Sequence, residues 1–191
     1  MSDRLAKAVA TAALAHREQL YGGKLYVAHL AAVVFNLHRL GFLQLRLEED
    51  LFNALEIAGW LHDVVEDTPM TLEKVRSEFG DDVAELVGAV TTEPGANRKA
   101  RNAATYPKIA KLPGAVLLKL ADRIANVEES WATKDTRLFM YQREYKVFRE
   151  ELRREDAGES TLARPGVVVK ILREFGQYLV RSKHADKEKK A

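Results

Sequence analysis

The sequence of 191 residues contains no cysteine. This absence excludes a disulfide-stabilised scaffold, a cysteine-ligated zinc finger and a cysteine nucleophile. It also removes any signature of an oxidising compartment. Prolines number only five and glycines 11, which argues against collagen-like, disordered and hairpin-rich β architectures.

An excess of charge of one sign is missing as well. The 30 Lys and Arg residues nearly balance 28 Asp and Glu residues, so the net charge of +2 argues against a protein that coats nucleic acid. No apolar run approaches the roughly 18 residues that span a bilayer. The N-terminal segment lacks a signal-peptide pattern. We therefore expect a soluble, cytoplasmic protein whose partners include neither a nucleic-acid polymer nor a membrane.

Apolar residues instead recur at three- and four-residue steps along nearly the whole chain, which is typical of amphipathic helices. No alternating strand pattern and no Pro/Ser-rich linker is visible. The sequence predicts one all-α domain, a bundle of about eight to ten helices over residues 1–181, followed by a charged tail at 182–191. The predicted helices cover 3–20, 27–41, 48–65, a short segment from Thr71 to Gly80, a segment opening at Asp81, and then 97–111, 115–131, 135–155 and 166–181.

Three carboxylates near the end of the third helix are the most informative polar residues. Asp63, Glu66 and Asp67 have the i, i+3, i+4 spacing that places side chains on one helix face, where like charges repel. A nearby cation is expected to offset them, and the adjoining His62 completes a donor set that suits Mn, Fe, Zn or Ni better than Ca. The alternative is an acidic, solvated last turn.

A second group of polar residues interrupts the apolar helix at 115–131. Lys119, Asp122 and Asn126 follow one stripe of that helix, and a charged residue in a buried helix is rarely left unpaired. The alternative to a functional site is a structural Lys119–Asp122 ion pair. His29 lies in another apolar helix, and by itself it would be interpreted as a core histidine rather than a ligand.

Taken in order, these segments resemble the HD-domain metal phosphohydrolases. The family signature is a distant His, an adjacent His-Asp pair and a distant Asp, which correspond to His29, His62-Asp63 and Asp122. The segment Leu61-His-Asp-Val-Val-Glu-Asp-Thr68 narrows the resemblance to the hydrolase domain of RelA/SpoT-type alarmone enzymes and their small stand-alone relatives. The later Leu-Ala-Asp-Arg motif, with Asn126 close behind, agrees with that subfamily.

The resemblance implies a role for each matching residue. It implies metal ligands at His29, His62, Asp63 and Asp122, most often holding Mn²⁺. Glu66 and Asp67 correspond to a pair that activates or orients the attacking water, and Asn126 to a substrate contact. The implied activity is removal of the 3′-pyrophosphate from a (p)ppGpp-like nucleotide. The chain after Leu152 is too short for a synthetase domain, so we expect hydrolysis without synthesis.

A basic stretch agrees with a phosphorylated substrate. No acidic residue occurs from Gly95 to Ala121. A stretch that carries only positive charge beside an acidic metal site suits the binding of a substrate with several phosphates. The alternative is an ordinary exposed basic helix. The candidate substrate-binding residues are Arg98, Lys99, Arg101 and Lys119, together with Asn126.

Two positions depart from the family pattern. Leu20-Tyr21 occupies the place of an Arg-Lys pair used near the nucleotide base, and Leu30 replaces a proline after the first His. The first departure favours a phosphohydrolase for a different nucleotide or metabolite as an alternative. A catalytically idle, nucleotide-sensing HD module is another. The aromatic-rich helix at 135–155 predicts core packing, with a homodimer contact as the alternative.

Overall fold

The computed structural model of the chain describes residues 2–40 and 49–152. These residues form seven helices longer than one turn, the one-turn helix α4 and a two-stranded antiparallel sheet, so the all-α prediction is confirmed. The predicted helix at 166–181 and the tail at 182–191 lie outside the described residues. The elements are α1 Asp3–Ala15, β1 Leu20–Tyr21, β2 Lys24–Leu25, α2 Val27–Leu40, α3 Glu49–Leu61, α4 Val64–Asp67, α5 Leu72–Val90, α6 Arg98–Ala110, α7 Pro113–Ala132 and α8 Arg137–Leu152.

Helix α7 is the centre of the bundle. It packs against α2, α3, α5, α6 and α8, while α1 packs on α3. Leu117, Leu118 and Leu120 of α7 are almost completely buried, and so are Leu30 of α2 and Leu55 of α3. Asp122 therefore projects from a helix whose surroundings are apolar, which is why its partners matter for the site.

Local signals explain most helix boundaries. Thr71 and Asn97 cap the amino ends of α5 and α6 by accepting bonds from Lys74 N and Ala100 N. Gly80, at φ +83° and ψ 169°, interrupts α5 where the sequence predicts a break between two helices. A side chain there would be strained, because only glycine adopts this left-handed backbone freely.

The segment between α1 and α2 corrects two predictions. The helix predicted at 3–20 ends at Ala15. A short hairpin follows it, although the sequence predicted no strands. Gly22 and Gly23 form its turn at φ +59° and +80°, a backbone that favours tight antiparallel hairpins. Each strand has two residues, too few to show an alternating pattern in the sequence.

The predicted helix at 48–65 is also divided. Helix α3 ends at Leu61, and α4 begins at Val64 with Asp63 as its cap residue. His62 Nδ1 bonds the carbonyl of Gly59, 2.9 Å away, in the last turn of α3. Asp63, Glu66 and Asp67 therefore lie at the cap of α4 and within it, rather than near the end of one long helix, and the prediction of a continuous helix over 48–65 is wrong.

Helix α8 presents most of its aromatic side chains to the core. Tyr141 and Phe148 are buried, whereas Phe139 is 51% exposed. Core packing explains the buried pair, and the homodimer contact stays a prediction. None of the described helices combines the length and apolar character needed to cross a membrane.

Two leucines test the assignment of the core. Leu118→Ala removes a completely buried side chain from α7 and should lower the free energy of unfolding by about 2–5 kcal/mol. The matched change Leu14→Ala removes a side chain that is 65% exposed on α1 and should cost less than about 0.5 kcal/mol. Urea denaturation of both variants measures the difference, and equal losses would contradict the described packing.

Candidate metal and catalytic site

Three buried side chains from three separate elements converge in one place. His29 lies on α2, His62 follows the end of α3, and Asp122 lies on α7. Each offers a ligand atom within 4.8 Å of the others. A fourth side chain joins them, because Asp63 Oδ2 lies 3.7 Å from His29 Nε2 and 2.9 Å from His62 Nε2. The structure thus brings together the four residues that the sequence singles out as ligands.

The chemistry of His62 fits a cation between these groups. The carbonyl of Gly59 can only accept, so Nδ1 of His62 must donate to it and carries the proton. Nε2 is buried and has no hydrogen-bond partner among the described residues. Its 2.9 Å contact with Asp63 Oδ2 lacks hydrogen-bond geometry. A bare nitrogen lone pair facing carboxylate oxygens needs a proton or a metal ion between them.

The electrostatics of the site point the same way. Burial lowers the pKa of His62, but Asp63 and Asp122 outweigh it and raise that pKa to about 9. Burial acts to raise the pKa of the Asp63 carboxyl, yet the two imidazoles hold it well below its usual range. The paired carboxylates therefore favour positive charge strongly at this point of the apolar bundle.

Neighbouring side chains fix both aspartates. Tyr26 donates its hydroxyl to Asp63 Oδ2 at 2.5 Å. Lys119 Nζ lies 3.0 Å from Asp122 Oδ2, so the ion pair that the sequence left as an alternative is present, within the cluster of converging side chains. Burial lowers the pKa of Lys119, but Asp122 and Asp63 outweigh burial and raise it. Asn126 Nδ2 donates to Asp122 Oδ1 and to the backbone oxygen of the same residue.

Glu66 and Asp67 lie on α4, both exposed, rather than among the four converging side chains. Glu66 Oε1 accepts from the backbone N–H of Thr92 at 2.7 Å. Asp67 Oδ2 accepts from Gln19 Nε2 at 2.8 Å. Each carboxylate is therefore held through one oxygen at the edge of the site.

The basic residues of α6 differ in their surroundings. Arg98 donates through Nε and Nη2 to both oxygens of Glu144 on α8, at 2.7 and 3.2 Å. Arg101 is partly buried, and Lys99 is exposed. The ion pair gives Arg98 a structural function that the sequence pattern did not anticipate, and the substrate-binding function of all three residues stays a prediction.

Sequence reasoning missed the residues that surround the site from outside. Gln19, Tyr21 and Tyr26 belong to the segment around the hairpin, and each bonds a residue of the predicted site. In the sequence, Tyr21 stood out only as a departure from the family pattern, and Tyr26 only by its position three residues before His29. Arg123 was also missed: it is buried between the rings of Tyr141 and Phe148, with its guanidinium carbon 4.8 and 4.5 Å from their centroids.

Comparison with known proteins agrees with this geometry. Residues 6–149 match the family described as the HD domain. The chain belongs to the HD-domain family. Membership implies dependence on a divalent metal ion, for which His29, His62 and Asp122 form a candidate site.

Similar proteins carry one recurring name. A guanosine-3′,5′-bis(diphosphate) 3′-pyrophosphohydrolase of Aquifex aeolicus is 34% identical over 142 residues, which are 72% of this chain and 17% of that protein. An enzyme of the same name from Homo sapiens is 43% identical over 75 residues, 38% of this chain and 41% of that protein. The chain thus spans less than half the length of these curated relatives.

Solved structures share the fold. A metazoan ortholog of SpoT, described as hydrolysing ppGpp, superposes with a TM-score of 0.68 at 25% identity, over 92% of this chain and 97% of that chain. A protein of Listeria monocytogenes gives a TM-score of 0.56 at 22% identity, over 80% and 96% of the two chains, and shows the fold alone.

Neighbouring basic residues test the structural function of Arg98. Arg98→Ala removes the bidentate ion pair with Glu144 and should lower Tm by about 2–4 °C, corresponding to about 1 kcal/mol. Lys99→Ala, one residue away on the exposed surface, should leave Tm unchanged. Differential scanning fluorimetry measures both shifts, and equal Tm values for the two variants would show that the ion pair is unimportant.

Proposed function

We propose that this chain is a metal-dependent phosphohydrolase that removes the 3′-pyrophosphate of a (p)ppGpp-like nucleotide. The observation that carries the proposal is the convergence of His29, His62, Asp63 and Asp122 around an unpartnered imidazole nitrogen. The names of the similar proteins supply the substrate class.

Two imidazoles and two carboxylates make a donor set suited to a transition metal, and we propose Mn²⁺ at His29, His62, Asp63 and Asp122. When bound, such an ion polarises a phosphoryl oxygen and lowers the pKa of water. Tyr26 and Lys119 hold the two aspartates in place, so the ligand oxygens are oriented before a substrate arrives.

Glu66 and Asp67 are the proposed general bases. Each already uses one carboxylate oxygen in a bond to Thr92 N–H or Gln19. That bond fixes the side chain, and the second oxygen of each receives no donor among the described residues. A carboxylate held in this way can accept the proton of the attacking water and orient it.

The substrate's phosphates are proposed to lie near basic side chains, with Lys119 the one already inside the site. Arg98, Lys99 and Arg101 of α6 are the further candidates, and Asn126 is the proposed contact to the nucleoside portion. Cationic side chains raise the local concentration of a polyanion, and two of these, Lys119 and Arg98, also form ion pairs with Asp122 and Glu144. A cytoplasmic location follows from the activity and belongs to the same proposal.

A second candidate is the same chemistry on a different nucleotide. The feature that favours it is Leu20-Tyr21, at the place where the family resemblance implies an Arg-Lys pair for the base. The Tyr21 hydroxyl instead donates to Asn126 Oδ1 at 2.5 Å. A panel of nucleotides that differ in base and in the presence of a 3′-pyrophosphate separates the two candidates, since only the first predicts that ppGpp is the preferred substrate.

Loss of a proposed ligand tests the activity. Asp63→Ala should abolish pyrophosphate release from ppGpp in Mn²⁺, a loss of at least about 10³-fold, because it removes a ligand and leaves His62 without its carboxylate. Glu78 lies on α5 and forms surface ion pairs with Lys7 and Lys74, so Glu78→Ala is the matched control and should keep full activity. Wild-type protein that binds no metal and releases no pyrophosphate from any nucleotide would contradict both candidates.

Conservative changes separate the proposed bases from the ligands. Asp67→Asn and Glu66→Gln keep the size of each side chain but remove its capacity to take a proton. The turnover number should fall about 10²-fold or more, while the amount of bound Mn²⁺ stays the same. Steady-state kinetics and metal analysis by mass spectrometry check the two quantities; metal loss in parallel with activity would instead make these residues ligands.

A further inference from the structure

Tyr21, the last residue of β1, is bonded to the site from outside the helical bundle. It is half-buried, and its hydroxyl donates to Asn126 Oδ1 at 2.5 Å. Its ring centroid lies 5.0 Å from that of His29, and the guanidinium carbon of Arg137 lies 4.7 Å from it. These contacts restrain the ring whose hydroxyl bonds Asn126.

The hairpin that carries Tyr21 is itself attached to α7. Lys24 Nζ lies 3.0 Å from Glu129 Oε2, and the turn at Gly22 packs so closely on Glu129 that a Cβ there would collide with it. Asp122, Asn126 and Glu129 follow one stripe of α7 at helical spacing. Tyr21 therefore has a fixed position relative to the part of α7 that carries Asp122.

The amide of Asn126 has a direction that the site depends on. Its Nδ2 donates to Asp122 Oδ1, the carboxylate oxygen that faces His29 Nε2 at 3.5 Å and His62 Nε2 at 3.9 Å. If the amide turned over, its oxygen would face Asp122 Oδ1 and repel it. The Tyr21 hydroxyl donates to Asn126 Oδ1 and so adds a bond that holds the amide in the orientation that serves Asp122.

We propose that Tyr21 is a positioning residue that fixes the amide of Asn126 and, through it, the metal-facing oxygen of Asp122. Lys119 holds the other oxygen of that carboxylate, so the two bonds together define its plane. The inference rests on the metal site of the proposed function, and it assigns to Tyr21 an effect on metal affinity rather than contact with the substrate.

The variant Tyr21→Phe tests the proposal because it removes the hydroxyl and keeps the ring against His29 and Arg137. Titration of metal-free protein with Mn²⁺, followed by isothermal calorimetry, should show affinity weakened about 3–10-fold. Loss of a residue that directly supports a ligand weakens metal binding about 10–100-fold, and Tyr21 acts one bond further away. Tyr106→Phe removes a buried hydroxyl that instead meets Arg123, and it should leave Mn²⁺ affinity unchanged.

A double-mutant cycle shows whether Tyr21 acts through Asn126. Asn126→Ala should weaken Mn²⁺ binding at least as much as Tyr21→Phe, and adding Tyr21→Phe to it should cause no further loss. The proposal would be overturned if Tyr21→Phe left the Mn²⁺ affinity unchanged, or if Tyr106→Phe weakened it equally. It would also be overturned if the losses of affinity from the two single changes multiplied in the double variant. Wild-type protein that binds Mn²⁺ at this site but does not hydrolyse ppGpp would reject the proposed function and leave this inference standing.

Discussion

The structure depends on one electrostatic problem, which is the burial of two carboxylates and two imidazoles inside an apolar helical bundle. His29, His62 and Asp122 are buried, with at most 8% of each residue exposed, and Asp63 touches both imidazoles. Such a group is stable only when positive charge balances it. The unpartnered Nε2 of His62 marks where that charge belongs, and the position of α7 at the centre of the bundle brings Asp122 to the same point.

The residues that hold the side chains of this cluster and its edge in place come from the segment around the hairpin. Gln19 holds Asp67, Tyr21 holds Asn126 and Tyr26 holds Asp63, so three bonds from a short stretch of chain reach three parts of the site. The glycine turn and the ion pair with Glu129 attach the stretch to α7. A segment that looked like a helix end in the sequence thus supports the site that the helices build.

Sequence reasoning succeeded where the residue types themselves restrict the chemistry. The family resemblance gave His29, His62, Asp63 and Asp122 as expected metal ligands, and the structure brings these four side chains together. The helices were predicted because apolar spacing is a local property. Sequence reasoning failed at His62-Asp63, where a continuous helix was expected, because the side chain of His62 bonds the carbonyl of Gly59 and the chain turns. It also left Arg98 without a partner, since Glu144 is 46 residues away in the chain.

The sequence by itself determined the fold class, the helical segments with their caps and glycine breaks, and the types of donor atom available, because these follow from local spacing and side-chain chemistry. Only the tertiary structure decided which donors meet. The 3.5 Å approach of His29 to Asp122, the Tyr21 bond to Asn126 and the separate anchoring of Glu66 and Asp67 all join elements through packing. Contacts across such distances in the chain depend on how α2, α3 and α7 fit together, and no local pattern contains that information.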